Sequence, residues 1–273
     1  GAGNDYVFID GRNLNLSWSS LSVSISDRHF GVGSDGLIVA LQSEDADIKM
    51  QMYNLDGSEG KMCGNGIRCF VSFGVKIGLL AKDSDTYLVE TASGILEVTP
   101  IWEHAQMVAA SVNMGQPRFR SSDVPFKLKG YDTLQDHYLE IEEQHFAISA
   151  LSMGNPHAVT VLETPINDFD LAHIGPIIEK HSIFPEQVNF EIINILSRDL
   201  IDLRVWERGS GQTLACGTGA CAAAVIAIKK GLVNNKVTVK LPGGDLEIHW
   251  EPGSDVYMKG PIATTFEGKY RLN

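Results

Sequence analysis

The chain lacks a long hydrophobic segment and an excess of basic residues. Its longest apolar run, 220–228, is far shorter than the roughly 20 residues that a helix needs to cross a bilayer. Acidic residues outnumber basic ones by 34 to 22, which gives a net charge of −12. Nucleic-acid and anionic membrane surfaces need clustered Lys and Arg, so neither partner is expected. With 44% apolar and 21% charged residues, the composition is that of an ordinary globular protein with a core.

Cysteine is also scarce, with four residues in 273: Cys63, Cys69, Cys216 and Cys221. This number is too small for a disulfide scaffold and favours cytoplasmic localisation with reduced thiols. Their spacing, C-x5-C and C-x4-C, does not fit a zinc ribbon or finger, so no metal is expected. The chain opens without a secretory leader and without Met, and we expect residues to be missing from its front.

The sequence contains one internal duplication with a step of about 150 residues. Three landmarks recur in the same order: segments 3–8 and 154–159, Cys63 and Cys216, and segments 91–98 and 241–248. Each of these two cysteines starts a Cys-Gly-x-Gly sequence and is followed by a helical stretch, 67–77 or 220–230. Each stretch has a Lys in its last turn and is followed by Gly, which together are a helix stop signal. The duplication predicts two similar lobes with a cleft between them.

Alternating or β-rich runs surround the two helices, and turn signals separate these runs. Many short strands around one central helix per lobe predict an α+β fold. We expect the N-terminal lobe to span 1–114, with 260–273 returning to it, and the C-terminal lobe to span 115–259. The predicted strands are 6–10, 37–41, 48–53, 87–90, 158–162, 201–206 and 237–241.

A cysteine just before a helix meets unpaired N–H groups and the positive end of the helix dipole. This setting lowers a thiol pKa, and the same N–H groups can hold a carboxylate. Inversion of a stereocentre by proton transfer needs a base on one side and an acid on the other. Cys63 and Cys216 would supply both if they lay on opposite sides of one carbon. A cysteine at a helix start is more often a packed or capping residue, and a Cys63–Cys216 disulfide is the other alternative.

Residues 31–36 also satisfy G-x-G-x-x-G, the pattern of a dinucleotide site. That site requires a strand before the pattern and a helix after it. Here a polar segment predicted to be helical, 22–29, precedes the pattern and the apolar strand 37–41 follows it. We therefore do not expect a dinucleotide cofactor.

Seven segments, spread nearly from end to end, resemble the diaminopimelate epimerase family: "GAGNDYVFID", "HFGVGSDG", "YNLDGSEGKMCGNGIRC", "SMGNPHAV", "EQVNFE", "WERGSGQTLACGTGACAA" and "LPGGDLEI". The resemblance implies an enzyme that interconverts LL- and meso-2,6-diaminopimelate without pyridoxal phosphate or any other cofactor, in lysine biosynthesis. It implies two similar lobes, each a mostly antiparallel sheet wrapped around a central helix, with the active site in the cleft. It also implies a homodimer.

The resemblance assigns the site residues one by one. Cys63 and Cys216 resemble the catalytic acid–base pair, and His157 and Glu207 resemble the residues that tune the thiols. Arg208 suits a distal carboxylate because a guanidinium group can bind it through two hydrogen bonds. The residues that resemble substrate contacts are Asn4, Asn54, Gly64, Asn65, Asn155, Asn189, Glu207, Arg208, Gly217 and Thr218.

Two departures from the family pattern and two other functions stay open. The family's usual first strand, which ends in Met-His-Gly, is missing before Gly1, and Gly36 stands where some members have a substrate-binding Gln. Proline and hydroxyproline racemases also use paired cysteines, but would not need Arg208 and several Asn side chains. A non-catalytic protein could hold an anion at the two helix starts, although it would need only the glycines.

Overall fold

The computed structural model describes residues 1–272. Its residues pack into two compact units: unit 1 comprises Gly1, Asp5–Ser111 and Gly260 onward, and unit 2 comprises Ala2–Asn4 and Val112–Lys259. Residues 2–4 therefore group with unit 2, whereas the sequence placed them in the N-terminal lobe. The predicted domain boundaries stay a prediction, and Asn273, at the end of the segment predicted to return, lies outside the described residues.

Unit 1 contains two helices and seven strands. In chain order they are β1 (Tyr6–Asp10), α1 (Trp18–Ser26), β2 (Gly36–Leu41), β3 (Ile48–Asn54), β4 (Glu59–Gly60), α2 (Gly64–Lys76), β5 (Tyr87–Thr91), β6 (Gly94–Glu103) and most of β7 (Gln106–Asn113). The strand order is β1-β2-β3-β5-β6-β7, and β4 forms a hairpin with β3. The pairs β1–β2 and β3–β5 are parallel, while β2–β3 and β5–β6 are antiparallel.

Unit 2 contains two helices, a 3₁₀ turn at Ile166–Asp168 and nine strands. In chain order they are β8 (His137–Ile141), β9 (Gln144–Ser152), β10 (Pro156–Val161), α3 (Leu171–Glu179), β11 (Asn189–Ser197), β12 (Leu200–Glu207), β13 (Gly211–Thr213), α4 (Gly217–Lys229), β14 (Lys236–Leu241), β15 (Gly244–Trp250) and most of β16 (Val256–Pro261). The strand order is β16-β15-β14-β12-β11-β10-β9-β8, and β13 pairs with β12.

The two units repeat the same series of strand pairings. In unit 2, β10–β11 and β12–β14 are parallel, while β11–β12 and β14–β15 are antiparallel. This series matches β1–β2, β3–β5, β2–β3 and β5–β6 of unit 1 strand for strand. In each unit a short strand, β4 or β13, leads directly into the cysteine and the helix that follows it. The duplicated sequence segments thus fall on equivalent elements.

The helices α2 and α4 begin three residues earlier than predicted, directly after their cysteines, because Cys-Gly-x-Gly itself forms the first turn. Both end at a Lys, as the stop signal indicates. Every residue of α4 from Gly219 to Ile228 is buried, and the helix contacts strands β9 to β12, β14 and β15 of its unit. Its Ala-rich sequence suits this position because small side chains let strands approach from several directions.

Helix α1 covers Trp18–Ser26, so the predicted helix at 22–29 was placed too far along the chain. It ends because the carboxylate of Asp27 accepts the N–H groups of His29 and Phe30, which turns the chain. The strand β2 then follows, so helix and strand flank the glycine pattern in the order opposite to a dinucleotide site. The α+β class is confirmed, and no helix within residues 1–272 is long and apolar enough to cross a membrane.

Candidate active site

The thiol of Cys63 caps the N-terminus of α2. Its Sγ accepts the N–H of Gly66 at 3.4 Å, and its backbone is extended, as an N-cap requires. A Cβ on Gly66 would lie 2.9 Å from Cδ1 of Ile38, so a larger residue there would displace the end of the Ile38 side chain. The half-buried thiol therefore lies among helix N–H groups that have no partner inside the helix.

Hydrogen-bond donors and one cation oppose the effect of burial at Cys63. Burial raises the pKa of this thiol, whereas the N–H groups of Gly66 and Asn65, the Tyr6 hydroxyl and the charge of Arg68 lower it. Arg68 is completely buried, and its guanidinium donates to Gly64 O at 3.0 Å and to Asn65 Oδ1 at 2.9 Å. The guanidinium thus binds to the first turn of α2, and its charge favours the thiolate form of Cys63.

Cys216 caps α4 in the same way. Its Sγ accepts the N–H of Gly219 at 3.4 Å and lies 3.5 Å from the Thr218 hydroxyl, while its backbone angles almost equal those of Cys63. A Cβ on Gly219 would lie 2.8 Å from Oε1 of Glu191. The two helix starts therefore have the same backbone conformation, but the carboxyl group of Glu191 lies beside the first turn of α4.

The surroundings of Cys216 disfavour the thiolate. Burial raises the pKa of Cys216 well above its ordinary value, and the carboxyl groups of Glu207 and Glu191 raise it further, against the opposing effects of Thr218 and Gly219. Glu207 ends β12, accepts a short hydrogen bond from the Thr213 hydroxyl and also hydrogen-bonds to Cys216. Burial raises the pKa of Glu207 as well. A thiol and a carboxyl group are therefore in direct contact in unit 2.

His157 lies on β10 beside the start of β11 and is completely buried. Its Nδ1 lies 2.6 Å from Glu191 Oε1, and its Nε2 lies 3.0 Å from Asn155 Oδ1. Burial raises the pKa of Glu191, against the opposing effect of His157. The three side chains form one hydrogen-bonded chain, in which Asn155 is the half-buried end.

Asn189 uses both ends of its side-chain amide within unit 2. Its Nδ2 donates to Pro156 O at 2.8 Å, and its Oδ1 accepts the N–H of Arg208 at 2.9 Å. The exposed side chain of Arg208 donates to Glu186 O at 3.0 Å. Asn189 therefore fixes the backbone at Arg208, and its predicted substrate contact stays a prediction.

A buried carboxyl group supports the same turn from α3. Glu179 accepts the indole N–H of Trp206 at Oε2 and the N–H of Gly209 at Oε1, each at 2.8 Å. These two donors flank Glu207 and Arg208 in the chain. Glu179 thus holds the turn that carries both predicted site residues.

The remaining predicted contacts lie in turns. Asn54 ends β3 and closes the hairpin to β4, where its Nδ2 donates to Ser58 Oγ at 2.9 Å. Asn4 is half-buried in the segment 2–4 of unit 2. In this segment a Cβ on Gly3 would lie 3.0 Å from Leu214 Cβ, so the chain is closely packed.

The structure brings the predicted residues together in two groups. Cys63, Gly64 and Asn65 form the first turn of α2 in unit 1, while Cys216, Gly217 and Thr218 form that of α4 in unit 2, with Glu207 against the thiol. A cavity of about 410 Å³ in unit 2 is lined by none of these residues. Its lining includes Ile226 and Lys229, which lie at the end of α4 opposite to Cys216. The chemistry is therefore concentrated at the helix starts.

Comparison with known proteins identifies the family. The sequence model for diaminopimelate epimerase matches residues 1–120 and 149–265. The diaminopimelate epimerase of Methanococcus maripaludis is 41% identical over 271 residues, which cover 98% of this chain and 96% of that protein. The enzyme of the same name from Desulfitobacterium hafniense is 44% identical, with 98% and 95% covered. The chain belongs to the diaminopimelate epimerase family.

Solved structures show the same fold at low sequence identity. A probable proline racemase from Agrobacterium radiobacter superposes with a TM-score of 0.67 at 13% identity, covering 93% of this chain and 81% of that one. A PhzF-family phenazine biosynthesis protein from Bacillus anthracis gives 0.66 at 16% identity, with 96% and 93% covered. Membership of the diaminopimelate epimerase family makes this protein an enzyme of the isomerase class.

Sequence reasoning missed four residues that contact the predicted site residues or their chain neighbours: Tyr6, Glu179, Glu191 and Thr213. Glu191 had a usable signal, because "NFE" places two polar residues two apart, on one face of an otherwise apolar strand. The others had none, because their contacts with Cys63, Gly209 and Glu207 depend on strand pairing and turn geometry. All four residues therefore belong to the surroundings of the predicted site residues in this chain.

Proposed function

We propose that this protein interconverts LL- and meso-2,6-diaminopimelate by proton transfer at one Cα between two thiols. One cysteine, as the thiolate, takes the Cα proton and becomes a thiol. The other thiol delivers its proton to the opposite side of the carbanion and becomes the thiolate. Atoms and charge balance without a redox step, and the reverse reaction exchanges the two roles. The observation that carries this proposal is the pair of equivalent cysteine caps on α2 and α4.

The charges around the caps suggest which thiol is ionised at rest. Cys63 has the cation Arg68 and the donor Tyr6 near it, whereas Cys216 has Glu207 and Glu191. Burial raises the pKa of both thiols. The charge of Arg68 then lowers the pKa of Cys63, whereas Glu207 and Glu191 raise that of Cys216 further. We assign the thiolate to Cys63 and the proton to Cys216 in the resting enzyme.

The substrate carboxylate at the reacting centre would bind the helix N–H groups of Gly64, Asn65, Gly217 and Thr218. These groups belong to the first turns of α2 and α4, the part of a helix at which an anion can bind to backbone N–H groups. They would also stabilise the negative charge that builds on the carboxylate as the Cα proton leaves. The site therefore needs no cofactor to act on this carbon.

The distal amino-acid end would bind Arg208, with Asn4, Asn54, Asn155, Asn189 and Glu207 as further contacts. The exposed guanidinium of Arg208 suits a carboxylate. Asn189 also fixes the Arg208 backbone through its Oδ1, and the second hydrogen of its Nδ2 is the group that would contact the substrate. A second amino-acid end is what distinguishes diaminopimelate from proline, so these residues would set the specificity.

Incubation with LL-diaminopimelate in D₂O tests the proposal. A two-base enzyme delivers a proton that has exchanged with solvent, so the meso product should carry deuterium at Cα. At early times the remaining LL substrate should still carry protium. Absence of both deuterium and the meso isomer would contradict the proposed function, and it is the result expected of an anion-binding protein. Turnover of proline or hydroxyproline, and not of diaminopimelate, would indicate a proline or hydroxyproline racemase.

The setting of the reaction is also proposed. The relatives' shared name supports a role in lysine biosynthesis, and the scarcity of cysteine supports the cytoplasm. We further propose a homodimer, which sedimentation velocity of the purified protein would test directly. A single species at the mass of one chain would contradict that assembly.

A further inference from the structure

A carboxyl group and an imidazole are buried together in unit 2. Glu191 and His157 both have no exposed surface, and their Oε1 and Nδ1 atoms lie 2.6 Å apart. The second oxygen, Oε2, is buried and has no hydrogen-bond partner among the described residues. A buried carboxyl oxygen without a hydrogen-bond partner is costly, so a glutamate in this position requires a reason beyond packing.

The chain of hydrogen bonds fixes where the ring carries its proton. The structure places Oδ1 of Asn155 against Nε2 of His157, and because an amide oxygen only accepts, this arrangement goes with a proton on Nε2. Nδ1 then either accepts a proton from neutral Glu191 or donates one to its carboxylate. In both forms the pair is neutral and Nε2 is protonated. Burial of Glu191 raises its pKa and so favours the neutral acid.

The equivalent position in unit 1 shows that the fold itself does not require this carboxyl group. In β1–β2, Tyr6 pairs with Gly36, and Ile38 follows two residues later under Gly66. In β10–β11, His157 pairs with Asn189, and Glu191 follows two residues later under Gly219. The same backbone site therefore accepts an isoleucine in one unit and holds a glutamate in the other.

We propose that Glu191 is a positioning residue, which holds His157 by Nδ1 so that the Nε2–H keeps Asn155 oriented toward the substrate. This inference rests on the proposed function, in which Asn155 contacts diaminopimelate. With its Oδ1 held by His157, Asn155 presents the N–H groups of its amide, which suit a carboxylate. Without a partner at Nδ1 the ring can change tautomer, and Nε2 then repels the Asn155 oxygen.

Steady-state kinetics of three variants test this role. Glu191→Gln keeps an N–H that can donate to Nδ1, so it should retain kcat/KM within about threefold. Glu191→Ile, which copies Ile38, should lose roughly 10- to 100-fold, the range for one unsatisfied buried polar group. Glu142→Gln is the matched control, because Glu142 contacts His173 at 2.7 Å on the surface, and it should leave kcat/KM unchanged.

The outcomes separate positioning from other roles. Rescue by Gln but not by Ile supports the proposal. It is overturned if Glu191→Ile keeps full activity, or if Glu191→Gln loses as much as Glu191→Ile. Thermal unfolding of all variants identifies losses that come from instability alone.

A second measurement needs neither substrate nor an apolar variant. Nitrogen chemical shifts of ¹⁵N-histidine-labelled wild-type protein report the tautomer, with the His157 signals assigned by their loss in His157→Asn. A protonated Nε2 supports the proposal, and an Nε2 with a free lone pair overturns it. Because no substrate is present, this result stands even if diaminopimelate is not turned over, so failure of the proposed function is recognised separately.

Discussion

At the start of α2 the thiol of Cys63 has Tyr6 and the buried cation Arg68 near it, whereas the thiol of Cys216 at the start of α4 has Glu207 and Glu191. The backbones of the two caps are nearly identical, with φ of −129° and −128° and ψ of 116° and 113°. The duplication has therefore kept the geometry of the cap and changed the charges around it.

This difference matches what a two-base reaction requires. Two thiols in identical surroundings on either side of one carbon would share one proton without preference, so neither would be set as acid or base at rest. A cation beside one thiol and carboxyl groups beside the other separate their pKa values. The substitutions that achieve this are few: the position of Arg68 in unit 1 corresponds to that of Cys221 in unit 2, and the position of Ile38 corresponds to that of Glu191. The predictions below test whether this asymmetry is functional.

The largest effect is expected from removal of either thiol. Cys63→Ala and Cys216→Ala should each lower the epimerisation rate by at least about 10³-fold, because each removes one of the two proton carriers. The remaining thiol can still remove and return a proton on its own side. In D₂O each variant should therefore label one stereoisomer, and a different one in each case. Epimerisation at an ordinary rate by either variant would contradict the two-base assignment.

The next largest effect concerns the carboxyl group that touches Cys216. Glu207→Gln removes a group that raises the pKa of this thiol, so that pKa should fall. Cys216 should then react with iodoacetamide faster at neutral pH, as peptide mapping by mass spectrometry would show. We expect kcat/KM to fall about 10- to 100-fold. An unchanged alkylation rate of Cys216 would show that Glu207 does not set its charge state.

The sequence predicted that each cysteine precedes a helix, and the family resemblance supplied Glu207 and His157, but Glu191 and its contact with His157 were not predicted. Cys-Gly-x-Gly before an apolar stretch is a local pattern, and local hydrogen bonds decide where a helix begins. By contrast, Glu191 and His157 are 34 residues apart and meet only because β10 and β11 are parallel and in register. A single sequence contains no signal for that register.

The strand β11 shows why some elements were missed. Asn189, Glu191 and Asn194 interrupt its apolar residues, so the segment does not alternate as a half-buried strand should. The structure shows that the first two are buried and engaged in unit 2. Polar residues at a site thus weaken the pattern from which strands are predicted.

A smaller effect is expected at the cation of unit 1. Arg68→Gln removes the charge that lowers the pKa of Cys63, so that pKa should rise and Cys63 should alkylate more slowly. Loss of buried hydrogen bonds to Gly64 and Asn65 should also cost about 1–3 kcal/mol of stability. Arg68→Lys keeps the charge and serves as the matched control. Equal Cys63 reactivity in Gln and Lys variants would show that the charge has no influence.

The smallest effect is expected at Glu179, which lies away from both thiols and supports the turn that carries Arg208. Glu179→Gln leaves one of two N–H donors, from Trp206 or Gly209, facing an amide N–H₂ group. Because Arg208 would bind the distal end of the substrate equally in ground and transition states, KM should rise about threefold to tenfold while kcat changes little. The alkylation rates of Cys63 and Cys216 should stay at their wild-type values. A fall in kcat with an altered Cys216 reactivity would instead show that the turn also sets the charge at Glu207, and the contrast between the two caps would then extend to α3.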